Sequence, residues 1–65
     1  MAKVQVKVAG GSIQEKEAYN ISALMAQLSL DGEYQASVNG EPQDGEYVLE
    51  DYEFVTFSKK VKAGL

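Results

Sequence analysis

The sequence offers few residues whose types and spacing could do chemistry, and the first candidates are two acidic segments with a central glycine. Asp31-Gly32-Glu33 and Asp44-Gly45-Glu46 each resemble part of a calcium-binding loop, in which carboxylate oxygens recur at fixed positions. Such a loop needs oxygen ligands at several set positions over about twelve residues, and neither segment supplies them. Both segments are therefore predicted to be turns.

The adjacent Ser58-Lys59 pair could supply a nucleophile and a base only if the two side chains met. Neighbouring residues of a strand point to opposite faces, so an extended backbone at this position keeps them apart. The 65-residue chain contains no Cys and no His, which removes thiolate nucleophiles, imidazole bases, disulfides and imidazole metal ligands. We therefore expect no catalytic residue, no metal site and no cofactor, and the chain is not expected to be an enzyme.

Charge is distributed unevenly along the chain, which has a net charge of −4 and no Arg. Eight acids and no base occupy residues 31–53, whereas Lys59, Lys60 and Lys62 crowd the last residues. Nucleic-acid binding usually requires a basic patch, so a nucleic-acid partner is not expected. The acidic segment is either a solvated surface that maintains solubility or a docking surface for a basic groove on a protein partner.

Length and hydropathy limit the chain to one small domain, over residues 1–65. Its longest apolar runs are only a few residues, which is too short for a signal peptide or a membrane span. We expect a monomer without a membrane partner. A cytoplasmic location is also expected, because the lack of Cys fits a reducing compartment.

Alternating hydrophobicity predicts strands in several parts of the chain. Residues 3–8 read Lys-Val-Gln-Val-Lys-Val, which places three valines on one face of a half-buried strand. A Gly-Gly turn leads to a more polar strand over residues 13–19, and the two strands are expected to form a hairpin. A third strand is predicted over residues 34–38, before an Asn39-Gly40 turn. Residues 47–49 are predicted to form a short strand or a single helical turn.

One helix is predicted between the second and third strands. Four apolar residues recur at the spacing of a single helical face, namely Ile21, Leu24, Met25 and Leu28. Asn20 is a suitable N-cap, and Asp31-Gly32 is expected to end the helix because Gly readily adopts the left-handed conformation. So short a helix must be held by packing on a sheet. This order of elements predicts an α+β fold, a mixed four- to five-stranded sheet with one helix across one face, arranged as a β-grasp roll.

Two segments resemble a known family. Val38-Asn39-Gly40-Glu41 and the run from Leu49 to Phe57 are similar to segments of the ubiquitin-like sulfur carriers, the ThiS/MoaD family. That family has a Val-Asn-Gly-Glu type turn after the third strand and a Leu-x-Asp-Gly-Asp-x-Val-x-Phe type run into the last strand. The resemblance spans nearly the whole chain, although Tyr52 stands where the family has the glycine of that run. It implies a ubiquitin-like β-grasp fold.

The resemblance also implies a chemical role for the carboxyl end. Members of the family carry sulfur on the carboxylate of a terminal Gly-Gly, which a partner enzyme of the ubiquitin-activating type adenylates with ATP. Glycines have no side chains, so such a tail can enter a narrow channel and present an unhindered carboxylate. The expected partner is therefore an adenylating enzyme, and the expected carrier segment is a short flexible tail over about residues 59–65.

The tail departs from the family pattern at the reacting residue. When Val61 is aligned with the tail valine of the family, Ala63 and Gly64 occupy the glycine positions and Leu65 is left over. Three interpretations remain open: a protease removes Leu65, the partner accepts it, or the chain has kept the fold and lost conjugation. In a carrier, Gly64 or Leu65 bears the reacting carboxylate. The neighbouring lysines then steer the tail, namely Lys59, Lys60 and Lys62.

The last strand, predicted over residues 54–58, carries the candidate docking residues. If Val55 and Phe57 face the helix, Phe54 and Thr56 lie on the uncovered face of the sheet. Ubiquitin-like folds commonly dock through that face, so the resemblance implies that both residues contact the partner, with Lys59 and Lys60 beside them. The alternative function is a non-conjugating module that binds a protein through the sheet face or the acidic surface.

Overall fold

A computed structural model describes residues 1–60, which form five strands and one helix. The elements in chain order are β1 (Ala2–Val8), β2 (Gln14–Ala18), α1 (Ile21–Gln27), β3 (Tyr34–Val38), β4 (Glu41–Gln43) and β5 (Phe54–Lys59). Within residues 1–60, no helix has the length and apolar character needed to cross a membrane.

The five strands join in one mixed sheet in the order β2-β1-β5-β3-β4. β1 and β5 run parallel at its centre, and the other neighbouring strands are antiparallel. The central pair joins the first and last strands of the sequence, with Gln5 level with Phe54 and Val8 level with Phe57. The expected α+β class and mixed sheet with one helix are confirmed, and the arrangement is consistent with a β-grasp.

The hydrophobic core lies between the sheet and α1. Alternate residues of the two central strands point into it and are at most 1% exposed, namely Val4, Val6, Val55 and Phe57. Ile21 and Leu24 of α1 are fully buried against them, while Met25 and Leu28 pack at the edge. Burying a side chain of this size contributes about 1.5–3 kcal/mol, which is what holds a seven-residue helix in place.

The amino end of α1 is fixed by its cap and by the loop over residues 44–49. Asn20 is the N-cap, as predicted, and its Oδ1 accepts a hydrogen bond from the Ala23 N–H at 2.8 Å. The Ser22 N–H donates to the Gly45 carbonyl at 2.9 Å. A Cβ added at Gly45 would collide with the Ser22 hydroxyl, so a larger residue here would force the Ser22 side chain to rotate.

The carboxyl end of α1 differs from the prediction that Gly32 ends it. The left-handed residue is Ser29, with φ 58°. The Leu30 N–H donates to the Met25 carbonyl at 3.0 Å and the Ser29 N–H donates to the Ala26 carbonyl at 3.3 Å, the two bonds of a Schellman motif. These bonds satisfy carbonyls of the last turn, so the helix ends before Gly32 is reached.

The short element predicted at residues 47–49 is wrong in both of its forms. The short strand is instead β4, which pairs with β3 directly across the Asn39-Gly40 turn. It contains Pro42, which an edge strand tolerates because one side of its backbone needs no partner. Residues 47–49 contribute a single bridge between Val48 and Asn20.

The sheet extends further toward the carboxyl end than predicted. β5 includes Lys59, which pairs with Tyr34, and the Lys60 N–H donates to the Glu33 carbonyl at 2.8 Å. The tail was predicted from about residue 59, but both lysines bond or pair with the β3 side of the sheet. The remaining tail residues lie outside the described part of the chain, namely Val61, Lys62, Ala63, Gly64 and Leu65.

Candidate docking face and carrier tail

The face of the sheet opposite α1 is built from alternate residues of the strands. In β5, Val55 and Phe57 are buried in the core, so Phe54 and Thr56 point away from α1. The register places Gln5 beside Phe54 on this uncovered face. The predicted placement of Phe54 and Thr56 therefore agrees with the structure, while their role in docking stays a prediction.

Phe54 is the one aromatic residue that strand alternation places on this face within residues 1–60. Its side chain is half-buried, and its backbone N–H and carbonyl both bond to Asn39. The surrounding strand residues are polar, charged or proline, namely Lys3, Gln5, Lys7, Glu15, Glu17, Gln35, Ser37, Pro42, Thr56 and Ser58. A single partly exposed aromatic residue is ordinary on a globular protein, so its role in docking stays a prediction.

The two candidate docking lysines, Lys59 and Lys60, do not lie beside Phe54. Lys59 follows Val55 and Phe57 in the alternation of β5, so it lies on the α1 side of the sheet, opposite the face of Phe54. Lys60 follows the strand and lines a cleft with Met25 and Tyr34. Both lysines are exposed, yet the four predicted docking residues do not form one cluster.

That cleft, between α1 and the β3–β4 edge, was missed by sequence reasoning. Its volume is about 510 Å³, and its apolar lining includes Ile21, Met25 and Tyr34. Asp44 and Lys60 also line it, so the wall carries one charge of each sign. The lining comes from separate segments of the chain, and no local sequence pattern indicates that they meet.

Several acids of the segment 31–53 bond to the backbone of turns. Asp31 Oδ1 accepts from the Glu33 N–H at 2.9 Å, and Asp44 Oδ1 accepts from the Glu46 N–H at 3.0 Å. This geometry, from an Asp side chain to the amide two residues on, is that of an Asx turn, so the predicted turns are confirmed at both sites. These acids thus have a structural role in addition to their charge.

Glu53 fixes the loop that precedes β5. Its Oε2 accepts from the Tyr47 hydroxyl at 2.6 Å, and its Oε1 accepts from the Glu50 N–H at 2.8 Å. The hydrogen bond to Glu53 raises the pKa of Tyr47 to about 12, with smaller contributions from burial and from the nearby Glu53, Glu50 and Glu41 charges. The phenol therefore stays protonated, and can donate to Glu53, at alkaline pH values where an ordinary tyrosine ionises.

Comparison with known proteins leaves the function open. No protein-family model matches the chain, and no curated protein matches it closely enough to be a relative. Any functional proposal therefore depends on the chain's own residues and on the resemblance of its motifs.

Proposed function

We propose that this chain is a ubiquitin-like β-grasp protein of the sulfur-carrier type. It docks on an adenylating enzyme through the sheet face around Phe54, and it presents the carboxylate of its tail to ATP. The observation that carries the proposal is the position of β5, which lies at the centre of the sheet and parallel to β1. The same strand contains Phe54 and Thr56 and leads into the tail, so docking and delivery of the tail are coupled.

The backbone at Tyr52 supports the resemblance. Tyr52 has φ 70°, a left-handed conformation, and its N–H donates to the Lys3 carbonyl at 2.7 Å. The sulfur carriers have glycine at the matching position of their Leu-x-Asp-Gly-Asp run. This chain retains the backbone conformation that glycine adopts most easily, although the residue itself has changed.

In the proposed reaction a tail carboxylate oxygen attacks the α-phosphorus of ATP, forming an acyl adenylate and releasing pyrophosphate. A sulfide-equivalent nucleophile then attacks the acyl carbon and displaces AMP, which leaves a thiocarboxylate. The partner supplies the groups that bind ATP, and this chain supplies the docking face and the carboxylate. We place the protein in the cytoplasm in this proposal.

A second function is favoured by the tail sequence. Ala63 stands at the first of the two glycine positions and Leu65 follows Gly64, so a branched side chain occupies the reacting residue. A channel shaped for Gly-Gly would exclude it. In this alternative the chain binds its partner without conjugation, through the face around Phe54 or through the acidic surface.

Mass spectrometry distinguishes the two functions. The full chain, a chain lacking Leu65, and that shortened chain with Ala63→Gly are each incubated with ATP, a sulfur donor and a purified adenylating enzyme of the ubiquitin-activating type. A carrier gives an acyl adenylate or a product about 16 Da heavier, from exchange of oxygen for sulfur. Reaction of only the shortened chains indicates that Leu65 must be removed. Unchanged mass for all three chains refutes carrier function with that enzyme.

Docking is tested with Phe54→Ala and a matched control, Ile13→Ala. Ile13 is 57% exposed and lies in the β1–β2 turn, so its truncation removes apolar surface away from Phe54. Loss of a central aromatic contact is expected to weaken partner binding at least tenfold, or about 1.4 kcal/mol, while the control stays near the parent value. Unchanged affinity for a folded Phe54→Ala protein would remove Phe54 from the interface.

A further inference from the structure

Apolar side chains also gather where β1 begins, at the end of the sheet opposite the one where β5 finishes. Met1 is 84% exposed, Tyr19 is 59% exposed and Val48 is 49% exposed. These three surround Leu49, which is only 5% exposed, and together the four residues are named the Leu49 patch. They line a shallow depression of about 390 Å³.

Backbone hydrogen bonds hold the Tyr19, Val48 and Leu49 segments of the Leu49 patch in place. The Leu49 N–H donates to the Tyr19 carbonyl at 3.0 Å, and Val48 forms a bridge with Asn20. The loop after the patch is tied to β1, because Asp51 Oδ1 accepts from the Lys3 N–H at 2.9 Å. A surface fixed in this way loses little conformational entropy when a partner binds.

The Leu49 patch is more than the usual scatter of exposed apolar residues. A single exposed apolar side chain is ordinary on a globular protein. Here three of the five large hydrophobic residues that are most exposed within residues 1–60 line the same depression. Contiguous exposed apolar surface with a polar rim is typical of an interaction site.

Charge determines the kind of partner. Glu50 and Asp51 also line the depression, and the amino group of Met1 is the one positive charge among its lining residues, so the rim is net acidic. A second copy of this chain would bring its own acidic rim against this one, and an anionic lipid surface would be repelled in the same way. A segment with Lys or Arg beside an apolar side chain is attracted by the rim and fills the depression.

We propose that the Leu49 patch is a second protein-docking surface, which binds a short basic segment of a partner. One aliphatic or aromatic side chain of that segment lies over Leu49, between Tyr19 and Val48. A Lys or Arg of the segment lies against Glu50 and Asp51. The site is distinct from the face around Phe54, and its occupant is recognised by apolar contact and positive charge together.

The Leu49 patch lies far from the end of β5 that leads into the tail. Since β1 and β5 are parallel and Gln5 is level with Phe54, Ala2 and Lys59 are offset by eight residue steps along the strands. At the rise of a β-strand this offset is about 26 Å. Binding at the Leu49 patch is therefore independent of whether the tail is a carrier.

The test is a titration of the isotope-labelled full chain with synthetic peptides. Backbone amide shifts in NMR spectra report the binding. The probe is a short peptide in which Lys alternates with Leu. Two matched peptides replace every Lys by Glu or every Leu by Ser. The protein variants are Val48→Thr, which keeps the branched shape, and Glu50→Gln, which keeps the size. Ile13→Thr and Glu15→Gln make the same changes outside the Leu49 patch.

The proposal expects the Lys-Leu peptide to shift the amides of Tyr19, Val48 and Glu50. Val48→Thr and Glu50→Gln should each raise its Kd at least about fivefold, and the control variants should change it less than about twofold. Equal binding of the Glu-Leu peptide, or no effect of the two patch variants in folded protein, overturns the proposal. Patch shifts that follow protein concentration without peptide also overturn it, because a second copy is then the occupant.

Discussion

Asn39 binds both backbone polar groups of Phe54. Its N–H donates to the Phe54 carbonyl at 2.8 Å, and its side-chain Oδ1 accepts from the Phe54 N–H at 3.0 Å. Asn39 has φ 52°, because the chain turns toward Gly40, and the side-chain oxygen stands in for a ladder carbonyl. The β3–β5 ladder is thereby extended by one residue, to the aromatic residue at the centre of the candidate docking face.

Substitutions of Asn39 should distinguish the stability that comes from its side-chain hydrogen bond from the stability that comes from its tolerance of positive φ. Asn39→Asp keeps an acceptor and the tolerance of positive φ, so its stability should stay close to the parent. Asn39→Gly keeps only the conformation and should cost about 1 kcal/mol for the lost hydrogen bond. Asn39→Ala loses both and should cost about 2 kcal/mol. Urea unfolding measures the series, and equal stability of the Gly and Ala variants would contradict this assignment.

Ser29→Gly should stabilise the domain by about 0.5–1 kcal/mol. The left-handed conformation of Ser29 at φ 58° costs a non-glycine residue about 1–2 kcal/mol. Glycine avoids this cost, but its greater conformational entropy in the unfolded chain cancels part of the gain. Gly32→Ala is the matched control, because an added Cβ there meets no atom within 4 Å. That control should be neutral or slightly stabilising in urea. A large loss of stability in Gly32→Ala would restore Gly32 as the residue that ends α1.

Tyr52→Gly should also raise the free energy of unfolding, by about 0.5–1 kcal/mol, because Tyr52 has φ 70°. The Tyr52 side chain is 86% exposed, so its removal exposes little buried surface. Tyr52→Ala removes the ring but keeps a Cβ, and it should give no such gain. Thermal and urea unfolding measure the stability of both variants. A gain in stability in both would show that the effect comes from loss of the ring.

The hydrogen bond between Tyr47 and Glu53 should make the stability of the domain depend on pH in the alkaline range. The pKa of Tyr47 is raised from 10.0 to about 12 in the folded state. Its contribution to stability is therefore fully present below pH 10 and is lost as the pH rises toward 12. Tyrosinate absorbance should show a component with a pKa near 12 that is missing in Tyr47→Phe. Its persistence in that variant would assign it to another group.

Features decided by local chemistry were predictable from the sequence. The strands follow from alternation, because a half-buried strand must place every second side chain in the core. Asn20 was predictable as the N-cap because its side chain bonds within one turn of the helix. The outward direction of Phe54 follows from the same alternation in β5.

Two kinds of feature were not predictable: the choice between neighbouring positions for one local role, and contacts between distant parts of the chain. Ser29 ends α1 because the last carbonyls are satisfied there, although Gly32 is the better residue for a left-handed turn. The side of the sheet on which Lys59 lies depends on the length of β5, which pairing with Tyr34 extends beyond the predicted end. The Leu49 patch depends on contact between Tyr19 and Leu49, which are thirty positions apart along the chain.

The pairing of the first strand with the last has a consequence for biosynthesis. During translation β1 emerges early, but its parallel neighbour β5 leaves the ribosome only after almost every other described residue has been made. Before that moment one edge of β1 is open, and its valines lack their core neighbours Val55 and Phe57. Non-local pairings of this kind form slowly, so the nascent chain is expected to acquire protease resistance in a single late step.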